Sequence, residues 1–181
     1  MPEDLMPSPR SSSLSHSGTL ILVCGLPGSG KTTYAKRIEP HRNAVRMCPD
    51  DWIEAILEDP GNERERNRLR DPIENLQWNL AKNYLKKGLT VILENGFWAE
   101  EERTLYAVEA LELGAKIELV YLEAPDFETL WKRVDRRNSA MASKVFVMSR
   151  EEAQSAWDAF QVPDREEISF YDDYEIVTWT D

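Results

Sequence analysis

Eight consecutive residues, Gly25-Leu26-Pro27-Gly28-Ser29-Gly30-Lys31-Thr32, match the pattern G-x-x-x-x-G-K-S/T in full. The chemistry that suits this pattern is the holding of a triphosphate. Glycines let the chain turn successive backbone N–H groups inward on closely spaced anionic oxygens, and the positive end of a following helix adds to the attraction. Lys31 brings a mobile charge to the outer phosphates, and the Thr32 hydroxyl is placed to coordinate magnesium. Thr33 fits equally a ligand contact or packing in the first helical turn.

Three more sets of residues have the chemistry of phosphoryl transfer. Pro49-Asp50-Asp51 follows a short apolar run. An acceptor hydroxyl needs a carboxylate to orient it and take its proton as the new bond forms. Either aspartate alternatively caps the helix that follows. Glu94 ends the run Thr90–Glu94, where a carboxylate reaches magnesium directly or through water, or simply marks the exit of a strand. Arg133, Arg136 and Arg137 lie on one helix. Guanidinium groups stabilise the charge that spreads over a transferring phosphoryl group; a solvated basic face is the alternative. Arg133 and Arg137 share a face, and Arg136 lies further round. Trp52 and Trp98 follow directly on these motifs and are candidates to line an acceptor pocket. The other tryptophans of the six are assigned to packing.

These residues need a scaffold, and the hydrophobic pattern supplies one. The continuous apolar run Thr19–Cys24 suits a strand buried on both faces of a parallel sheet; Leu89–Leu93 reads as another buried strand, Ala44–Cys48 and Lys116–Leu122 as further strands, and Tyr174–Thr178 as a possible fifth. Helical spacing covers Lys31–Ile38, Asp50–Leu57, Pro72–Lys87, Ala99–Leu113, Asp126–Arg137 and Ser149–Phe160. Ser149 with Glu152 has the form of a capping box, and Gly114 stops the helix before it. The charged stretch Glu58–Arg70 reads as a solvated loop and helix start. Strands alternating with helices predict an α/β fold with a parallel sheet covered on both faces. Ligands then sit at the carboxyl ends of the strands, where the chemistry-bearing residues fall.

The totals are those of one globular domain: 181 residues, 41% hydrophobic and 30% charged. A net charge of −11 argues against a protein whose main task is to grip a nucleic-acid backbone. Cys24 and Cys48 form no metal or redox pair and read as small buried residues. Residues 1–17, with three prolines and six serines, read as a disordered tail before a domain spanning 18–181. No apolar run approaches the roughly 20 residues of a membrane span, and the first residues lack the apolar stretch of a signal peptide. A cytoplasmic location is expected.

In order along the chain, GLPGSGKTTYAKRI, CPDDWI, VILENGFWAEEER and LWKRVDRRN resemble a family of small bacterial P-loop kinases. This is the "predicted kinase" group of the AAA-type superfamily. Its relatives include the kinase domain of polynucleotide kinase, chloramphenicol phosphotransferase and zeta toxin. The resemblance spans roughly residues 19–160. It implies a P-loop NTPase fold, an adenylate-kinase-like parallel sheet of about five strands with a small lid, and ATP with Mg2+ as the cofactors. It implies Lys31 and Thr32 on the phosphates and magnesium, Asp50 as general base, and Arg133 and Arg137 as lid arginines. The polynucleotide-kinase pattern has an arginine two residues after the aspartate pair, where this chain has Ile53. That departure and the acidic charge favour a small-molecule acceptor over a 5′-hydroxyl polynucleotide end. A nucleotide-binding regulatory NTPase with little transfer activity is the reading from another class.

Overall fold

A computed structural model describes residues 17–59, 61–140 and 147–178. The tail apart from Ser17, residues 141–146, and Trp179 lie outside the described residues. Five strands form one parallel sheet: β1 (Thr19–Cys24), β2 (Ala44–Met47), β3 (Thr90–Gly96), β4 (Lys116–Glu123) and β5 (Asp173–Thr178), in the order β2-β3-β1-β4-β5. The central strand β1 is apolar because helices cover both of its faces; Leu20 through Cys24 have no exposed surface. The chain crosses from β3 over β1 to β4, which opens a crevice at the carboxyl end of β1.

The helices are α1 (Lys31–His41), α2 (Pro49–Ile56), α3 (Glu63–Lys86), α4 (Glu100–Glu112), α5 (Phe127–Ala140), α6 (Arg150–Ala159) and the short α7 (Arg165–Ile168). Helix α6 has the expected capping box: the Ser149 hydroxyl accepts from Glu152 N, and the Glu152 carboxylate accepts from Ser149 N. Both cysteines are free and buried, as expected.

Two local expectations are corrected. Helix α2 starts with Pro49 in its first turn after Cys48, and neither aspartate caps it. Asp50 and Asp51 sit in that first turn, where the helix dipole favours their charge. Helix α3 begins at Glu63, so most of the charged stretch is helix and not loop. Asn62 caps it by accepting from Glu65 N at 3.2 Å. Pro72 lies inside this helix, at the cost of one backbone hydrogen bond. The helix continues through it because Ile73, Gln77, Trp78, Ala81 and Leu85 bury its far half.

A buried ion pair fixes the loop after β3. Arg103 of α4 has no exposed surface. Its fork meets Glu167 of α7 at 2.5 and 2.7 Å, and its Nη1 donates to the carbonyls of Phe97 (2.9 Å) and Trp98 (3.3 Å). Removing one partner strands the other in the core. Arg103→Ala is therefore expected to lower unfolding free energy by about 3–5 kcal/mol, measured by urea denaturation against the unsubstituted protein.

Candidate active site

The phosphate loop leaves β1 and turns through three glycines with positive φ, Gly25 (145°), Gly28 (86°) and Gly30 (93°). At Gly28 the absence of a side chain also admits a neighbour. A Cβ there would stand 2.7 Å from Val134 Cγ2 of α5. Leu26 packs in the same place, against Leu130 of α5 and Ala156 of α6. The loop thus seats α5, and α5 brings Arg133 and Arg137 to the mouth of the cradle. At the other side Gly25 N donates to Gly96 O at 3.1 Å, tying the cradle to the end of β3 that bears Glu94.

These elements enclose a cavity of about 880 Å³. Lys31, Thr32, Thr33, Asp50, Glu94, Arg133 and Arg137 all line it, as do Pro27, Gly28 and Gly30. Gly25, Leu26 and Ser29 are buried behind that wall and shape it. Lys31 Nζ donates to the carbonyls of Gly25 (2.8 Å) and Leu26 (2.9 Å). Burial pushes its pKa down to about 8, while the nearby Asp50 and Glu94 pull the other way. Trp98 lines the cavity and Trp52 does not.

The two aspartates part company. Asp50 faces the cavity and is bonded to Arg70, with Arg66 at 3.7 Å, both from α3. Asp51 turns the other way and is bonded to Arg46 of β2, whose guanidinium also holds Glu94. Ile53, at the position where the polynucleotide-kinase pattern has arginine, has no exposed surface. The guanidiniums that meet Asp50 come from α3 instead.

Glu94 is nearly buried. Burial holds its carboxyl above the ordinary range, against the side chains of Arg46, Cys48 and Thr32 beside it. Its Oε2 has no hydrogen-bond partner among the described residues. Ligand atoms of Cys48, Asp51 and Glu94 lie within 4.8 Å of one another. Burial pushes the Cys48 thiol up to about 12, so it stays protonated, and Arg46 already bridges the two carboxylates. The trio is therefore a poor metal cage. The orphaned Glu94 oxygen beside the Thr32 hydroxyl suits a hard cation with oxygen ligands.

Arg46, Arg66, Arg70, Glu74 and Glu102 are among the site residues that the motifs do not predict. The last four line the cavity. Burial raises the pKa of Glu74, and burial together with the charge of Glu74 raises that of Glu102.

A family model described as an AAA domain matches residues 20–162. No curated protein matches the chain in sequence. Among solved structures, a candidate kinase from Chloroflexus aurantiacus superposes with a TM-score of 0.68 at 18% identity, over 90% of this chain and 86% of that one. A gluconokinase from Sinorhizobium meliloti gives 0.57 at 17% identity, over 90% and 83%. Kti12 from Chaetomium thermophilum, in complex with ADP-AlF3, gives 0.64 at 15% identity, over 88% and 89%. At these identities the likeness is one of fold. Among the described residues no helix is long and apolar enough to cross a membrane.

Proposed function

The chain belongs to this AAA-domain family of P-loop proteins, and from that premise we propose that it is an ATP-dependent phosphotransferase acting on a hydroxyl of a small acceptor. The observation that carries this reading is the shared cavity: Asp50 lines the same space as Lys31, Glu94, Arg133 and Arg137. A module built only to bind nucleotide has no need of a carboxylate opposite the phosphates.

The roles follow from position. Backbone N–H groups of the loop hold the phosphates. Lys31 leaves the carbonyls of Gly25 and Leu26 to track the outer phosphates. Thr32 and Glu94 would hold magnesium, which when bound neutralises charge on the phosphates. Asp50 orients the acceptor hydroxyl and accepts its proton. The acceptor oxygen bonds to the γ-phosphorus, the bond to the β–γ bridging oxygen breaks, and ADP leaves with that electron pair. Arg133 and Arg137 stabilise charge on the phosphoryl oxygens in flight.

The test is transfer from γ-labelled ATP with magnesium, using a deproteinised small-molecule extract and, separately, 5′-hydroxyl oligonucleotides. Label on an extract component is the expected result. Label on the oligonucleotide alone makes this an end kinase, and free phosphate without any labelled acceptor makes it a hydrolase or switch.

The Lys31 ammonium supplies a pH test of the cradle. Bound phosphates raise its pKa above the value near 8 in the free protein, so the nucleotide binds with proton uptake once the pH exceeds 8. Affinity is flat below that pH and falls above it, by about tenfold between pH 7 and pH 9. Titration calorimetry in two buffers of different ionisation enthalpy reads both the affinity and the proton. Equal affinity at the two pH values would show that the ammonium does not meet the phosphates.

A further inference from the structure

Five basic and five acidic side chains line the cavity, whereas the chain as a whole carries −11. The lining is thus balanced in charge where the chain as a whole is acidic. Its basic groups fall into two sets. Lys31, Arg133 and Arg137 belong to the cradle and to the helix packed on it. Arg66 and Arg70 belong to α3, one turn apart and on one face.

The second set surrounds Asp50. Arg66 Nη2 lies 3.7 Å from Asp50 Oδ1, and Arg70 is bonded to the same oxygen and, at 3.1 Å, to Glu74. The Arg66 side chain is only 15% exposed. Arg137, from α5, has its pKa lowered by burial; Asp50 opposes that shift and the charge of Arg66 adds to it. Guanidiniums from two helices therefore converge on one aspartate in a partly desolvated space. Arg66, Arg70 and Arg137 thus bring three guanidiniums to Asp50, and Arg70 shares its charge with Glu74. Forked donors at this spacing match a second, planar or tetrahedral, anionic group.

We propose that the acceptor is a small hydroxyl compound carrying a carboxylate or phosphate, held by Arg66 and Arg70 while its hydroxyl rests on Asp50. This rests on the phosphotransferase reading and narrows its substrate class. The anionic group sits on α3, away from the cradle, so it does not compete with the phosphates of ATP for Lys31. A long polyanion would have to cross the acidic surface, which favours a compact acceptor that fits within the cavity.

The experiment fractionates a nuclease-treated, ultrafiltered extract on an anion exchanger and assays each fraction for transfer from γ-labelled ATP. Acceptor activity is expected in the retained fraction. Prior treatment with alkaline phosphatase, then removed, abolishes it if the group is a phosphate and spares it if it is a carboxylate. Arg66→Gln and Arg70→Gln are each expected to raise the KM for the retained acceptor about tenfold or more and leave the KM for ATP unmoved. Acceptor activity in the flow-through overturns the inference and leaves the kinase standing. So does a loss of kcat with the acceptor KM unmoved, which would make the arginines supports for Asp50 alone. A rise in the KM for ATP would assign them to the γ-phosphate and overturn it too. Preferential labelling of a 5′-hydroxyl oligonucleotide overturns the compact acceptor. Transfer to neither fraction overturns the phosphotransferase reading itself.

Discussion

Lys31→Ala is expected to cut phosphoryl transfer by about a thousandfold or more and to weaken ATP binding, while leaving the protein folded. The size of the effect comes from what the side chain does at the two ends of its travel. In the free protein its ammonium is parked on two loop carbonyls, half-buried and part-desolvated. Over the phosphates the same charge acts in a space that water does not screen well. The prediction of a folded variant has its own physical basis. Burial depresses the lysine's pKa from 10.5 to about 8. A depressed lysine pKa means that the charged form costs stability at every pH below 8, and that stability rises between 8 and 10.5 as the proton leaves. Deleting the ammonium removes that cost at neutral pH. Single-turnover transfer, ATP titration and a thermal melt of the same preparation check the three parts together. A variant that melts normally and still transfers within tenfold of the parent rate would mean the loop does not serve the transferred phosphate.

The cradle was legible in the sequence because it is contiguous: one loop carries all its groups, between an apolar run and a helix. The central strands were legible because a parallel strand covered on both faces, such as β1, must be apolar throughout. What escaped is held together by tertiary register. Arg46 pairs beside Ile92 and Met47 beside Leu93, which sets Cys48 abreast of Glu94 and lets one guanidinium span Glu94 and Asp51. Nothing in the tetrapeptide AVRM announces this. Arg66 and Arg70 were hidden for a different reason. The charge density of Glu58–Arg70 reads as a solvated loop and helix start, which gives its arginines no inward face. A signal was present. Arg66, Arg70, Ile73, Gln77 and Ala81 follow helical spacing, and the last three are buried. The arginines extend that inward stripe beyond the sheet, which puts them over the cavity.

Asp50→Asn is the second large effect: transfer reduced by about a hundredfold to ten-thousandfold, with ATP binding retained. Asparagine keeps the shape and can still accept a hydrogen bond from Arg70, so the wall of the cavity stays in place. It cannot take a proton. The cradle is tied through Gly25 to β3 and through Leu26 to α5, so its shape does not depend on this side chain. The neighbouring aspartate is the proper control, because sequence alone does not separate the two. Asp51 is bonded to Arg46 and does not line the cavity. Asp51→Asn loses one partner of a half-exposed ion pair and is expected to change transfer by less than about tenfold. Rates under saturating ATP, with the acceptor found by the labelling assay, decide between them. If Asp51→Asn carried the large loss and Asp50→Asn the small one, the base would lie in the Arg46–Glu94 cluster. Asp50 would then serve only as the anchor for the arginines of α3.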